Sequence, residues 1–190
     1  VPASVTFTAA DWDTPQTVTV TGVDDSIIDG TITSTITVAV DDANSDDGFD
    51  AVDDQTVSVD TLDDDVAGFT IEETDGSTEV DESGSTDIFT IVLDAQPTND
   101  VVVLATASND ETEAMVSGSI TFTSENWDTP QTVTVTGVDD DLVDGDQTYD
   151  ITISIVDTIS DDEFDGVADQ SVSSTTLDDD APGFTIEETD

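Results

Sequence analysis

The chain has 190 residues, 48 of them Asp or Glu, with no Lys, Arg, His or Cys, and a formal net charge of −48. These absences remove disulfides, thiolate and imidazole metal sites, histidine bases, Schiff-base lysines and guanidinium phosphate clamps, so an enzyme is not expected. The charge repels nucleic acid and anionic lipid, so neither is an expected partner.

Trp12–Asp25 reads WDTPQTVTVTGVDD, and Trp127–Asp140 repeats it letter for letter, 115 positions on. The same offset relates Phe49 to Phe164, Leu62–Asp65 to Leu177–Asp180, and Gly68–Asp75 to Gly183–Asp190, without an insertion. A fixed period of this length is close to the size of one small domain. Residues 1–65 are therefore expected to be the C-terminal half of one repeat, 66–180 a complete repeat, and 181–190 the start of the next, in a window of a longer protein.

Within 66–180 the apolar residues fall in short runs of period 2, which is strand chemistry. Phe69 and Ile71 open the unit, and a first strand ends near Asp81–Glu82. Ile88–Leu93 turns Phe89, Ile91 and Leu93 inward. Val101–Ala105 is continuously apolar, as a more deeply buried strand would be. Ile120 and Phe122 follow. Gln131–Val138 places Val133 and Val135 on one face and Thr132, Thr134 and Thr136 on the other, with Gly137 expected to mark a bulge. Tyr149, Ile151, Ile153 and Ile155 point inward, and Val172 marks the last strand. Seven short strands separated by Asp, Gly, Asn and Pro turns predict an antiparallel β-sandwich. Trp12 and Trp127, beside turns, read as lids on the sandwich end.

The acids crowd into the turns. Two carboxylates about 5 Å apart repel by roughly 3 kcal/mol at an effective dielectric of about 20, and here no basic side chain can pair with them. With strands running alternately up and down, Asp81–Glu82, Asp110–Glu113, Asp139–Asp146 and Asp178–Asp180 sort to one pole. The loop acids around Asp161 sort to the other. A solvated or salt-adapted coat is the alternative reading. It would place acids on outward strand faces, which carry mostly Thr and Ser, Asp87 and Asp150 being among the exceptions. With only oxygen ligands on offer, the cation is expected to be Ca²⁺, which accepts 6–8 oxygens in irregular geometry, rather than Mg²⁺. An EF-hand does not fit, because Leu142 stands where that loop needs an acid.

Val80-Asp81-Glu82-Ser83-Gly84, the strand closing on Asp139–Asp140, and the terminal Leu177–Asp180 together resemble the Calx-β domain, the β-sandwich of sodium/calcium exchangers and integrin β4. Ile120–Asp141 resembles the tandem Calx-β-like repeats of giant bacterial surface proteins and adhesins. The resemblance covers 66–180 and the matching half, 1–65. It implies an all-β chain of tandem immunoglobulin-like antiparallel β-sandwich repeats. It implies Ca²⁺, several ions per repeat and mainly at domain junctions, held by Glu82, Asp110, Asp139, Asp140, Asp144, Asp178, Asp179 and Asp180. In the first copy the matching positions are Asp24, Asp25, Asp29, Asp63, Asp64 and Asp65. Where the family has a further glutamate, this chain has Gln147 beside Asp146. The implied role is a calcium-stiffened spacer of a long extracellular adhesin or filament on a bacterial cell surface. Its partners would be neighbouring repeats of the same chain, with lateral or end-to-end self-association. The reading from another class is a carbohydrate- or ligand-binding module using Trp127 and the acidic loop around Asp161.

Overall fold

Short runs of β-branched residues broken by Asp and Gly leave no stretch long enough for a stable helix, and the regular elements are strands joined by single 3₁₀ turns. The computed structural model describes residues 4–108 and 112–188. It divides into two compact units, one taking in residues up to 25 and 29–63, the other 26–28 and 64 onward. Among the described residues no helix is long and apolar enough to cross a membrane.

The first unit holds one antiparallel hairpin, β1 (Ile32–Val38) with β2 (Gln55–Thr61), in register from Ile32 opposite Thr61 to Val38 opposite Gln55. Two 3₁₀ turns, Asp42–Asn44 and Asp47–Phe49, lie between them.

The second unit is a β-sandwich. One sheet has the order β3 (Phe69–Glu73), β5 (Thr86–Leu93), β9 (Gln131–Gly137), β7 (Ala114–Val116). The other has the order β4 (Thr78–Asp81), β11 (Gln170–Leu177), β10 (Gln147–Ile155), β6 (Val101–Ala107), β8 (Ser119–Phe122). All pairings are antiparallel except β4 with β11. Most of the core is the set read from alternation: Phe69, Phe89, Ile91, Leu93, Val133 and Val135 from one sheet meet Val101, Val103, Phe122, Tyr149, Ile151, Ile153, Ile155 and Val172 from the other, while Ile71 and Ile120 are only partly buried and Val80 and Phe164 join unread. Tyr149 is buried together with its hydroxyl partner, since Ser174 Oγ donates to Tyr149 Oη at 3.0 Å. A buried phenol left unpaired would destabilise the core.

Three details depart from the sequence reading. The first strand is split. After β3, Asp75 (φ 56°) and Gly76 (φ 78°) take the left-handed conformation, and the chain crosses to the other sheet as β4. The Val101–Ala105 run is not buried on both sides. Val101, Val103 and Ala105 face the core, while Leu104 is 39% exposed opposite Ser119. Gly137 marks no bulge, because it stands opposite Ala114 in the unbroken register of β9 with β7 and its N–H donates to Ser85 O at 3.0 Å. It permits close approach instead: a Cβ there would lie 2.0 Å from the carbonyl oxygen of Asp81. Backbone cannot yield as a flexible side chain can, so Gly137→Ala is expected to cost about 2 kcal/mol or more in a urea-unfolding experiment. An unchanged midpoint would show that β4 does not pack this tightly on β9.

Candidate metal centre

The parallel ladder between β4 and β11 builds the site. It pairs Thr78 with Ser174 and ends with Asp81 opposite Leu177. Glu82 N then donates to Leu177 O at 3.2 Å, so the two strands finish side by side. The next residues along each are Glu82 on one and Asp178–Asp180 on the other. One ligand oxygen from each of Glu82, Asp178 and Asp180 lies within 4.8 Å of the others. The contact of Gly137 with Asp81 holds the same strand end against β9, which runs on into Asp139–Asp140.

Asp178 is fixed by backbone donors. Its Oδ2 accepts from Gly145 N at 2.7 Å and its Oδ1 from Asp180 N at 2.8 Å. Gly145 can offer that N–H because it sits at φ 79°, which an L side chain rarely adopts. Glu82 is 1% exposed. Two buried oxygens, Glu82 Oε2 and Asp180 Oδ2, have no hydrogen-bond partner among the described residues. Buried carboxylate oxygens are normally satisfied, so two orphaned ones within a group of three carboxylates mark a place that could hold a cation.

The electrostatics agree. Burial, and then the charges of Asp178, Asp140 and Asp144, push the Glu82 carboxyl above the ordinary range. Burial, and then Asp141, Asp178, Asp179 and Asp139, push Asp180 up. A fourth carboxyl, Glu113, is raised by burial and by Asp144 and Asp140. Its backbone places it there: Glu113 O accepts from Val138 N at 2.9 Å and lies 3.2 Å from Thr176 Oγ1. Glu113 belongs to an acidic turn that the sequence sorts to this pole, but it is not among the expected ligands.

Of the expected ligands, Glu82, Asp178 and Asp180 converge. Asp139, Asp140, Asp144 and Asp179 stand near enough for their charges or backbone to act on them. Asp110 lies outside the described residues. In the first unit Asp63 Oδ2 accepts from Gly30 N at 2.7 Å, the same bond that Asp178 makes with Gly145. Asp24, Asp25, Asp29 and Asp64 are exposed, Asp63 and Asp65 half-buried. The position 115 residues before Glu82 falls outside this sequence, and among the described residues only the Glu82 group brings three carboxylates together. The residues present therefore fit one divalent ion at the end of β4 and β11, with donors of the hard-oxygen type that Ca²⁺ takes.

Asp161, in the opposite loop, behaves differently. Asp161 is buried, and its Oδ2 accepts from Thr98 N at 2.7 Å, Thr98 Oγ1 at 2.8 Å and Asn99 N at 2.7 Å, while Oδ1 accepts from Glu163 N at 3.1 Å. Burial pushes its carboxyl up, but these donors together outweigh burial and hold it below the ordinary range. It is a clasp between two loops. Trp127 is half-buried against the core, and its carbonyl accepts from Leu93 N at 3.1 Å, as a lid would.

Comparison with solved structures finds matches at low identity. The apo form of a Calx CBD1 domain is 16% identical, with a TM-score of 0.42 over 59% of this chain and 98% of that one. The E. coli chaperone DraB is 10% identical, with a TM-score of 0.41 over 62% of this chain and 59% of that one. A PapD-like domain of human CEP192 is 14% identical, with a TM-score of 0.41 over 60% of this chain and 87% of that one. No family model matches the chain, and no curated protein does.

Proposed function

We propose that this chain is a stretch of a calcium-stiffened structural spacer, a tandem array of sandwich repeats in a long extracellular adhesin or filament on a bacterial cell surface. The observation that supports this most is the pair of buried, partnerless oxygens on Glu82 and Asp180 beside Asp178, in a chain without a single basic side chain. A bound divalent cation supplies the positive charge that no residue here can. Glu82 and Asp180 would present their open oxygens to it, and Asp178, held by Gly145 and the backbone of Asp180, would keep a fixed lone pair toward it. Additional ions, shared between the turn aspartates Asp139, Asp140, Asp141 and Asp144, are part of the same proposal. So is the placing of these sites at junctions between successive repeats of the same chain, whose hinge freedom they would remove.

Ordering then depends on calcium through mass action. Extracellular modules bind in about the 10⁻⁴–10⁻³ M range, so the array would be ordered outside the cell and slack where calcium is scarce. Small-angle X-ray scattering of the 190-residue chain continued from Asp190, the counterpart of Asp75, by residues 76–180 tests this, since the Glu82 group then precedes a complete repeat. Calcium is expected to narrow the distribution of dimensions relative to EDTA. Identical profiles in the two conditions, with identical melting, would remove the stiffening role.

A further inference from the structure

The turn that joins β9 to β10 carries an exposed apolar tip. Leu142 is 61% and Val143 55% exposed, in the middle of a run of aspartates. Asp140 Oδ1 accepts from Leu142 N at 2.6 Å and braces the tip. Two bulky apolar residues at the summit of so acidic a turn do not serve solvation, and they bind no cation.

The counterpart 115 residues earlier shows what such a tip can do. Ser26, Ile27 and Ile28 occupy the positions of Asp141, Leu142 and Val143. They pack as part of the second compact unit. Ile27 pairs with Gln96 in an isolated parallel bridge, and Gln96 N donates to Ser26 O at 2.7 Å. Ile28 is half-buried against the core of that unit. Gln96 sits in the turn between β5 and β6, with its side chain held by Ser124 O at 2.8 Å. The turn thus offers a backbone N–H beside the apolar core, and a carbonyl and the Ile28 side chain meet them, with Ile27 in the bridge between. Only the backbone carbonyl of the first plug residue is used, so Ser26 and Asp141 are equivalent in this role.

We propose that Asp141–Val143 is a plug for a second copy of this repeat: it seats on the turn that corresponds to Ala95–Pro97 in the repeat that follows, as Ser26–Ile28 seat here. The latch is apolar and backbone-bonded, separate in chemistry from the carboxylate site. It rests on the reading that repeats succeed one another along the chain, of which Gly183–Glu188 would begin the next.

The test extends the 190-residue chain from Asp190, the counterpart of Asp75, by residues 76–180, and follows backbone amide exchange at Gln96 and at its appended copy, in calcium and in EDTA. In the Leu142→Ser/Val143→Ser variant the appended copy's amide is expected to exchange about tenfold faster or more, as a lost seat becomes a locally open one. Gln96 itself, served by Ser26, stays protected. Ile27→Ser/Ile28→Ser in the same chain reverses the pattern. Unchanged exchange at the appended copy in both conditions, or no protection there in the parent chain, would overturn the latch. The calcium-induced rise in melting abolished by Glu82→Gln is expected to persist in both of these variants, so failure of the latch and failure of the calcium reading are told apart.

Discussion

Asp161→Ala is expected to destabilise the sandwich unit by about 3 kcal/mol, lowering its melting temperature by about 10 °C. The substitution removes the buried carboxylate that accepts, in part-buried bonds, from the backbone N–H groups of Thr98, Asn99 and Glu163 and from the Thr98 hydroxyl. Four bonds to one charged acceptor are lost together, each contributing about 1 kcal/mol or less at such a site. Asp161→Asn, which keeps one acceptor oxygen for the three donors now on Oδ2, is expected to cost less. The sign of the pH dependence follows from the lowered carboxyl of Asp161. Its stabilisation is present above the ordinary aspartate range and is lost as pH falls through the depressed folded value, so the gap between parent and Asp161→Ala closes in acid. Equal melting of the two proteins at neutral pH would show that the loops hold together without it.

Calcium is expected to raise stability by about 1.4–2.7 kcal/mol when present at about 10 to 100 times its Kd, a shift of about 5–10 °C. Glu82→Gln is expected to abolish most of that response by removing a charged ligand from the group of three. It should also raise the melting temperature of the calcium-free protein, because a neutral side chain ends the repulsion from Asp178, Asp140 and Asp144. Here the pH dependence runs opposite to that of Asp161. Glu82, Glu113 and Asp180 have raised carboxyls. Their contribution is present below the ordinary range and lost as pH rises through the raised folded values. The calcium-free protein should therefore become more stable as pH is lowered from neutrality towards the ordinary carboxylate range, and the calcium-induced shift should shrink in parallel as protons replace the cation. A shift independent of pH, or retained in Glu82→Gln, would place the ion elsewhere.

Much of the sandwich was legible because a half-buried strand has a period of two. Val133 and Val135, Phe89 and Ile91, and the inward row from Tyr149 to Ile155 are buried as alternation requires. The carboxylate group was legible in part. Turns at one end of an up-and-down sandwich converge, and Glu82 meets Asp178 and Asp180 there, at the ends of adjacent strands. The parallel pairing of β4 with β11 that brings them together was not legible, because it depends on the crossing at Asp75–Gly76, a two-residue change of hand inside an otherwise unremarkable run.

The limit of local sequence is plainest in the duplicated segment. QTVTVTG at 131–137 is strand β9, while the identical letters at 16–22 form no strand. Strand β9 is flanked by β5 and β7, and the positions 115 residues before them, that of Val116 excepted, lie outside this sequence. Burial follows the same rule. Phe122 is 0% exposed and its counterpart Phe7 53%; Phe164 is 0% exposed and Phe49 58%. Alternation states which face a strand would bury, and neighbours decide whether it is a strand at all. Asp161 shows the same limit for charge. In sequence it is one more acid in an acidic loop, and only the approach of Thr98 and Asn99 makes it a clasp rather than a ligand.

Calorimetric titration of Ca²⁺ into the chelator-stripped 190-residue chain, alongside Glu82→Gln, bears most directly on whether these carboxylates are a metal site. The expected result is saturable binding with Kd in about the 10⁻⁴–10⁻³ M range in the parent protein and loss of that binding in the variant. Absence of saturable binding in the parent, or the same isotherm in both proteins, would contradict it.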